Sequence, residues 1–385
     1  MSFNNLLKNI FMNPSAKGTL RYRKIIIITT PALFKCLFSE HMRKIKIFRF
    51  NFFIFLFAVC CLLFSSATCT PKKERIFRKS KIIMDTLVSI TVVSPNKADA
   101  DKAIDMSFAE IGRLEKAANF YARESEIADI NIHAGISPVQ VSADIIDLLT
   151  KARIVAEATG GAFDPTIGPV ISLYDFRNKK APSDQEVRLN LPLVNYRDMV
   201  IDGDNSEVFL KKKGMLIDPG GIMKGYAAGK AAEVLKQQGV LSGIVAVAGD
   251  ISAFGLNPDG KPWRVGIRDP MGQNDDDIMA VIELTDMSIS TSGDYERFFI
   301  QDGRRFHHLI SPKTGYPAGG CRSVSVLSRE SAFADAYSTG IFVLGPEKGL
   351  RVLEKAGLDG IIIDEKGTLH TTPGIRERLE RKKPL

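Results

Sequence analysis

A predicted β-hairpin within residues 290–317 constrains the fold of this chain more than any other stretch. The runs Phe298-Phe299-Ile300 and Arg305-Phe306-His307 flank an Asp-Gly dipeptide, and Asp-Gly in such a position is a strong local signal for a hairpin turn. A Thr-Ser-Gly-Asp-Tyr run precedes the hairpin, and a His-His pair and a Pro-Lys-Thr-Gly-Tyr-Pro run end the stretch. Because the two ends of a hairpin lie side by side, we expect hydroxyls, a carboxylate and imidazoles to meet there.

Each part of this stretch, taken singly, has a structural explanation. Thr, Ser, Gly and Pro build turns, and one histidine of a pair can simply face solvent. Agreement with other segments of the chain is therefore needed before the stretch indicates a functional site.

The net charge of +8 comes from the beginning of the chain. Ten of the 52 Lys and Arg residues, but only one of the 44 acidic residues, lie within residues 1–68. The remainder carries 42 basic and 43 acidic residues, a net charge of about −1. We therefore expect no basic surface for nucleic acid, and no nucleic-acid partner.

Residues 42–69 have the layout of a secretory signal, with a basic start, an apolar run and then small residues before Cys69. The apolar run, Phe52 to Phe64, is short for a membrane span, which needs about 20 residues. A cysteine directly after Ser-Ser-Ala-Thr resembles a lipoprotein cleavage site, so we predict a signal peptide over 42–68 and lipidation of Cys69. A retained signal-anchor helix is the alternative.

Residues 1–41 are interpreted as an upstream extension from a start codon assigned too early, with a longer genuine leader as the alternative. Of the five cysteines, only Cys69 and Cys321 would remain after cleavage of the signal. With Cys69 lipidated, neither a disulfide framework nor a cysteine metal site is expected.

The chain after the signal mixes strand, helix and loop patterns. Residues 82–93 are rich in β-branched side chains and predict a strand, and residues 98–118 have the apolar spacing of a helix. Residues 162–169 contain two prolines and a glycine, which predicts a rigid loop.

Two further segments carry groups suited to an anion and a cation. Residues 218–226 read as a strand end, a glycine turn and a helix start, where backbone N–H groups can approach an anionic ligand closely. Asp335 and Thr339 share a helix face at i and i+4, and their oxygens suit a hard divalent cation. Close helix packing and a local hydrogen-bonded pair are the respective structural alternatives.

Taken together and in this order, the segments resemble the ApbE-type FAD:protein FMN transferases, the flavin transferases of bacterial membranes. The resemblance spans roughly Ile82 to Pro373. It rests on six motifs: Met84-x-Thr86, AFDPTIGP from Ala162, DPGGIMKGYA from Asp218, TSGDYERFF from Thr291, HHLISPKTGYP from His307 and ADAYSTGIFVLGPEKG from Ala334. At residues 246–250, Ala-Val-Ala-Gly-Asp stands where the family usually has Asn-Ala-Gly-Gly-Asp.

The resemblance implies a set of site residues. FAD, the substrate, would be held at the positions Met84, Tyr121, Ala162, Phe163, Asp164, Asp218, Lys224 and Leu309. Mg²⁺ would be bound by a backbone carbonyl of Gly221 and by Asp335 and Thr339. His308 aligns with the family histidine and is the predicted general base, with His307 as the less favoured twin.

The reaction that the resemblance implies is attack by a client threonine (or serine) hydroxyl on the FMN phosphorus of FAD, with release of AMP. One alternative is a Mg²⁺-dependent FAD pyrophosphatase, in which water replaces the client hydroxyl. The other is a lipoprotein that binds flavin without chemistry.

The resemblance also implies an α+β fold of two lobes, with helices packed on largely antiparallel sheets and FAD in the cleft. We expect a tether over 69–81, a transferase domain over 82–375 and a charged tail over 376–385. The protein is expected on the periplasmic side of the inner membrane, held by its lipid. Expected clients are subunits of the sodium-pumping NADH:quinone reductase or of Rnf-type complexes.

Overall fold

The computed structural model describes residues 51–53, 55, 74–274, 277–376 and 378–381. The chain separates into two compact units, Met1–Pro71 and Lys72–Leu385, and the second carries the fold described below. The predicted lipidation at Cys69 and the predicted extension over 1–41 lie outside the described residues. Among the residues that are described, no helix is both long and apolar enough to cross a membrane.

Helices and strands alternate irregularly along the second unit. The helices are α1 (Lys97–Ala118), α2 (Glu126–Ile132), α3 (Ala143–Ala158), α4 (Gly168–Ile171), α5 (Asp184–Asn190), α6 (Met223–Gln237), α7 (Ser331–Leu344), α8 (Pro346–Ala356) and α9 (Pro373–Arg376). The strands are β1 (Arg75–Ile83), β2 (Thr86–Ser94), β3 (Val139–Gln140), β4 (Met199–Asp202), β5 (Glu207–Leu210), β6 (Ser242–Val247), β7 (Asp250–Phe254), β8 (Trp263–Arg268), β9 (Ile278–Leu284), β10 (Met287–Gly293), β11 (Phe298–Gln301), β12 (Arg304–His307), β13 (Cys321–Ser328), β14 (Asp359–Asp364), β15 (Leu369–Thr371) and β16 (Leu379–Arg381).

The main sheet has eight strands in the order β1-β2-β6-β7-β10-β13-β14-β15, and each neighbouring pair is antiparallel. Two three-stranded sheets, β16-β9-β8 and β3-β5-β4, and the hairpin β11-β12 are likewise antiparallel. This arrangement confirms the predicted α+β class, with helices packed on antiparallel sheets.

The main sheet is buried on both faces because its central strands are apolar on both. In β13, Val324 and Val326 belong to the core shared with α1, α3, α6 and α7, whereas Leu327 belongs to the core shared with β8 and β9. Successive side chains of a strand point to opposite faces. This alternation therefore places the helices on one face of the main sheet and the small sheet, β16-β9-β8, on the other. Burying each such aliphatic side chain contributes about 1.5–3 kcal/mol.

The start of the domain differs from the prediction. Residues 82–93 are not one strand, because Met84 and Asp85 form a turn in which both have positive φ, 58° and 53°. The predicted tether also ends earlier than residue 81, since Arg75–Ile83 forms β1 and pairs with β2 over its whole length. Its mostly exposed, basic side chains resemble a linker, but they suit an edge strand.

The end of the domain also differs from the prediction. The charged tail predicted from residue 376 includes β16, which pairs with β9 through Leu379 and Ile282. Leu379 packs against the core between the small sheet and the main sheet. One apolar residue therefore docks a segment whose composition alone indicates fraying.

The predicted hairpin is confirmed as β11 and β12. Asp302 and Gly303 at its turn have φ values of 49° and 75°, the left-handed geometry that an Asp-Gly hairpin turn requires. Phe299 pairs with Phe306 across the hairpin with stacked rings 5.3 Å apart, and both enter a small core with Tyr174. The hairpin is thereby fixed against the loop that follows α4, and it positions His307 and His308 at its end.

Candidate active site

The site is built where the beginning of α6 meets α7. A Cβ at Gly225 would lie 2.4 Å from the carbonyl oxygen of Ser331 and 2.6 Å from the Cβ of Asp335, so only glycine allows this approach. The Gly225 N–H donates to Asp335 Oδ2 over 2.8 Å. The helix α6 begins at Met223, so Lys224 lies on its first turn.

The three predicted metal ligands converge at this contact. A Cβ at Gly221 would lie 3.2 Å from Thr339 Oγ1, so the Thr339 hydroxyl faces the glycine turn that precedes α6. Asp335 is one helical turn before Thr339 on α7, as the i, i+4 spacing predicts. Ser292, at the end of β10, extends the hydroxyl cluster, with its Oγ 3.3 Å from Thr339 Oγ1.

Burial governs the electrostatics of this cluster. Burial, reinforced by the negative charge of Asp250 and opposed by Lys224, raises the pKa of Asp335 to about 7. Burial lowers the pKa of Lys224, but the carboxylates of Asp250 and Asp335 outweigh it, and the net shift is upward. Asp250 is 1% exposed and its Oδ2 accepts a hydrogen bond from Lys224 Nζ. The lysine is therefore held charged between two carboxylates.

The predicted loop at 162–169 lies beside residues 215–218, which lead into the glycine turn and form only an isolated bridge at Leu216 where the sequence predicts a strand end. Asp218 N–H donates to the carbonyl of Pro165 over 2.8 Å, and Ile167 forms an isolated parallel bridge with Leu216. Phe163 is 4% exposed and packs between the Gly221 turn and Gly340 of α7. The loop thus packs against the glycine turn at Gly221.

The predicted FAD positions in this loop have buried side chains. Asp164 accepts hydrogen bonds from the N–H and hydroxyl of Thr166 and from the N–H of Tyr196. Burial, opposed by these bonds, raises the pKa of Asp164. Ala162 is 3% exposed, so this part of the loop shapes the site through its backbone.

Other predicted FAD positions differ in accessibility. Asp218 is half-buried, its Oδ1 accepts the Gly220 N–H over 2.8 Å, and burial raises its pKa. Met84 N–H donates to Glu115 Oε1 of α1 over 2.9 Å, and the Tyr121 side chain, 74% exposed, follows the same end of α1. Leu309 is 4% exposed and belongs to the main core.

The two adjacent histidines have different surroundings. His307 is buried, its Nε2 lies 2.9 Å from the carbonyl of Ala318, and its Nδ1 accepts the N–H of Leu309 over 3.3 Å. Both of its ring nitrogens are therefore used in holding the loop. His308 is half-buried, with Nδ1 3.2 Å from the carbonyl of Arg297.

The contact to Arg297 fixes the tautomer of His308. A carbonyl only accepts, so Nδ1 carries the proton and Nε2 is the unprotonated nitrogen of the neutral ring. Burial, together with the positive charge of Lys224 and Arg297, lowers the pKa of His308 to about 4. His308 is thus a neutral imidazole near the lysine cluster, which is the state that a proton acceptor requires.

Sequence reasoning assigned no role to Asp250 or Ser292. Asp250 follows an apolar run in the sequence and is the first residue of β7, but its partner Lys224 is 26 residues away along the chain. Ser292 belongs to a Thr-Ser-Gly-Asp-Tyr run that by itself indicates only a turn. Its neighbour Thr339 is 47 residues away, and no local pattern connects the two.

Comparison with known proteins shows the family of the chain. The model of the ApbE family matches residues 84–362 of the chain. A curated relative from Treponema pallidum, named FAD:protein FMN transferase, is 32% identical over 83% of this chain and 93% of its own length. One of the same name from Haemophilus influenzae is 32% identical over 76% of this chain and 88% of its own length.

Solved structures show the same fold. The ApbE protein of Thermotoga maritima superposes with a TM-score of 0.74 at 31% identity, covering 79% of this chain and 99% of its own. The flavin transferase ApbE of Vibrio cholerae gives a TM-score of 0.71 at 27% identity, with the same coverage. The resemblance inferred from six motifs is confirmed, and this chain belongs to the ApbE family.

Proposed function

We propose that this protein transfers FMN from FAD to a threonine (or serine) hydroxyl of a client protein and releases AMP. The observation that carries the proposal is the neutral, half-buried imidazole of His308 beside the cluster of Lys224, Asp335, Thr339 and Gly221. Such a site combines a proton acceptor with groups suited to a pyrophosphate. The curated relatives carry the name of this activity.

The chemistry is a phosphoryl transfer. The client hydroxyl oxygen forms a bond to the FMN phosphorus, the bond from that phosphorus to the bridging oxygen breaks, and the AMP phosphate leaves with the bond's electron pair. The hydroxyl proton moves to Nε2 of His308. Lys224 places its positive charge near the pyrophosphate, and Asp250 holds the ammonium group in position.

The donor set at Gly221, Asp335 and Thr339 fits Mg²⁺. All three supply oxygen, and among the described residues no group of three His, Cys, Asp or Glu side chains could form a closed protein cage for a metal. Mg²⁺ suits an open set of this kind because it keeps waters and substrate phosphates as ligands. When bound, it would neutralise developing charge on the phosphates.

The client and the anchor are further parts of the proposal. A signal segment that ends at Cys69 supports a lipid anchor on the periplasmic side of the inner membrane. Subunits of the sodium-pumping NADH:quinone reductase or of Rnf-type complexes are the proposed clients, because they would meet the enzyme at that membrane. Mass spectrometry of the membrane-extracted protein tests the anchor, and an unmodified Cys69 or an uncleaved leader contradicts it.

The transfer itself is tested with protein that starts at Cys69, with that cysteine replaced. The protein is incubated with FAD, Mg²⁺ and a client subunit, and the client is run on a denaturing gel under ultraviolet light. A fluorescent client band with equimolar AMP is the expected result, and the Asp335→Asn variant should give neither. AMP and free FMN without a band indicate a pyrophosphatase, and bound, intact FAD indicates a carrier.

A further inference from the structure

The first two strands expose apolar side chains at the edge of the main sheet. Ile76, Ile82 and Leu87 are 53%, 73% and 55% exposed. Ile82 lies opposite Leu87 in the register of β1 and β2, so their side chains share one face. Since side chains along a strand alternate between its two faces, Ile76 points to the same side as Ile82. Together with Arg78, which alternates with the two isoleucines along β1, these side chains form the β1 face.

The β1 face is turned away from the core that lies under the helices. Phe77 and Ile83 alternate with its residues, and they pack against that core on the opposite side of the strand. The small sheet β16-β9-β8 covers the same side of β2 at Val93, which belongs to the core between the two sheets. Single exposed apolar side chains are common, but three on one face of an edge strand mark an interaction surface.

The segment that contains β1 is strongly basic. Residues 72–81 include six Lys and Arg residues and a single acidic residue. Lys79 and Lys81 form ion pairs with aspartates of α1. Arg75 and Arg78 are exposed and form no ion pair with a described carboxylate. The apolar residues of the β1 face are therefore accompanied by two arginines that are available to an anionic partner.

The position of β1 in the chain favours a bilayer as that partner. β1 is the first strand of the fold and follows the predicted signal segment, which ends at Cys69. Aliphatic side chains can enter the boundary between lipid headgroups and acyl chains, while arginines extend to the lipid phosphates. A second copy of this chain is a poorer occupant, because edge-to-edge pairing of two such strands brings like charges together.

We propose that the β1 face rests on the surface of an anionic bilayer. Ile76, Ile82 and Leu87 lie at the boundary of headgroups and acyl chains, and the guanidinium groups of Arg75 and Arg78 lie at the lipid phosphates. The inference goes beyond the proposed transfer, and it uses the proposed anchor only to choose among occupants. Because the folded unit is nearly neutral overall, the attraction is confined to this face.

Vesicle flotation tests this proposal with the unlipidated protein that starts at Cys69, with that cysteine replaced. The apparent affinity should be about 5- to 25-fold higher for phosphatidylglycerol vesicles than for phosphatidylcholine vesicles, since one arginine near an anionic surface strengthens binding about fivefold. Ile82→Glu should weaken binding to phosphatidylglycerol vesicles about tenfold, because it replaces an inserted apolar group with a negative charge. Ile76→Glu, at the other end of the β1 face, should act in the same direction.

Leu189→Glu is the matched control, because Leu189 is a similarly exposed aliphatic residue on α5. A fluorophore attached to Ile76→Cys should be quenched by brominated lipids, and one attached to Leu189→Cys should not. These measurements need neither a lipid on Cys69 nor a client, so they stand apart from the proposed anchor and transfer.

Equal affinity for the two kinds of vesicle, unchanged flotation of both glutamate variants of the β1 face, or an equal loss in Leu189→Glu overturns the inference. A dimer in solution that Ile82→Glu dissociates also overturns it, since a second copy would then cover the face. Flotation without FMN transfer contradicts the proposed function alone, and FMN transfer without flotation contradicts this inference alone.

Discussion

At the scale of single residues, the hydrogen bonds of two neighbouring histidines indicate a structural role for one and are compatible with the proposed proton transfer for the other. His307 uses both ring nitrogens to hold the loop between β12 and β13. His308 places Nδ1 against the carbonyl of Arg297, and its Nε2 is the nitrogen proposed to accept a proton. The resemblance to the family favours His308 as the proposed base, and these hydrogen bonds are consistent with that proposal.

The first prediction separates these roles. His308→Ala should lower the rate of FMN transfer about 10²- to 10⁴-fold, the usual contribution of a general base, while FAD affinity and the melting temperature stay close to wild type. His307→Ala should instead lower the melting temperature, because it leaves buried partners unpaired. Transfer assays and thermal unfolding of both variants check this. Unchanged transfer in His308→Ala would remove the residue from the mechanism.

The second prediction concerns acid stability. Burial lowers the pKa of His307 to about 4, below the ordinary value of about 6.5, so the unfolded chain binds the extra proton first. The contribution of His307 to stability is therefore full above pH 6.5 and is lost as the pH falls toward 4. In His307→Gln the amide can donate to Ala318 and accept from Leu309 without titrating.

Denaturant unfolding at pH 7, 6 and 5 measures this effect. The free energy of unfolding of the wild type should fall more steeply than that of His307→Gln, by up to about 1.4 kcal/mol per pH unit. Parallel pH dependences of the two proteins would show that His307 does not titrate as the burial indicates. The difference in pH dependence between the two proteins is used because buried carboxylates elsewhere contribute equally to both.

At the scale of elements, the close contact of α6 with α7 assembles the proposed metal and phosphate groups. Gly225→Ala would push a methyl group against Ser331 and Asp335, so we expect a loss of about 1–3 kcal/mol in stability and weaker Mg²⁺ dependence of transfer. Gly229→Ala on the same helix meets only an ordinary contact at 3.5 Å and should gain about 0.5–1 kcal/mol. Chemical unfolding of the pair checks this, and equal effects would contradict it.

In the turn between β6 and β7, this chain departs from the family pattern at a residue whose backbone conformation is strained. Ala248 has φ of 52°, a left-handed conformation that alanine adopts less readily than the glycine usual at this place. Ala248→Gly should stabilise the domain by about 0.5–1 kcal/mol, whereas Ala246→Gly, within β6, should destabilise it. Thermal unfolding of both variants tests the assignment, and destabilisation by Ala248→Gly would refute it.

Turns and helix faces could be predicted from the sequence where neighbouring residues carry the signal. Asp302-Gly303 predicts its turn because Asp and Gly are residue types that adopt left-handed turn conformations. Asp335 and Thr339 are one helical turn apart in any helix. The Met84-Asp85 turn was missed because two non-glycine residues adopt positive φ there. The Lys224–Asp250 pair was missed because tertiary packing alone brings these residues together.

At the scale of the whole molecule, the charge of the chain and the charge of its folded unit differ. The excess of basic residues belongs to residues 1–68, and the rest of the chain is nearly neutral. The folded unit therefore has no strong general attraction to an anionic surface. With the proposed anchor, its position at the membrane depends on the lipid and on the segment that follows Cys69.

That dependence gives a prediction about linker length. Inserting 20 Gly and Ser residues between Thr70 and Arg75 should leave transfer to a detergent-solubilised client unchanged. In vesicles that contain both proteins, transfer should become several-fold slower, because the effective concentration falls with linker length. A scrambled insert of equal length after Leu385 is the control. Equal rates in vesicles would show that reach does not limit the encounter.

The position of β1 has a consequence for how the enzyme meets its partners. Since pairing in the main sheet already begins at Arg75, only six chain steps separate it from Cys69, and their fully extended length is about 20 Å. With the proposed lipid on Cys69, an enzyme tied this closely would explore a thin layer over the bilayer and would find its clients by lateral diffusion in two dimensions. Under the proposed anchor, only acceptor residues that the client exposes within that layer could be modified, and the topology of the client as well as its sequence would select the threonine.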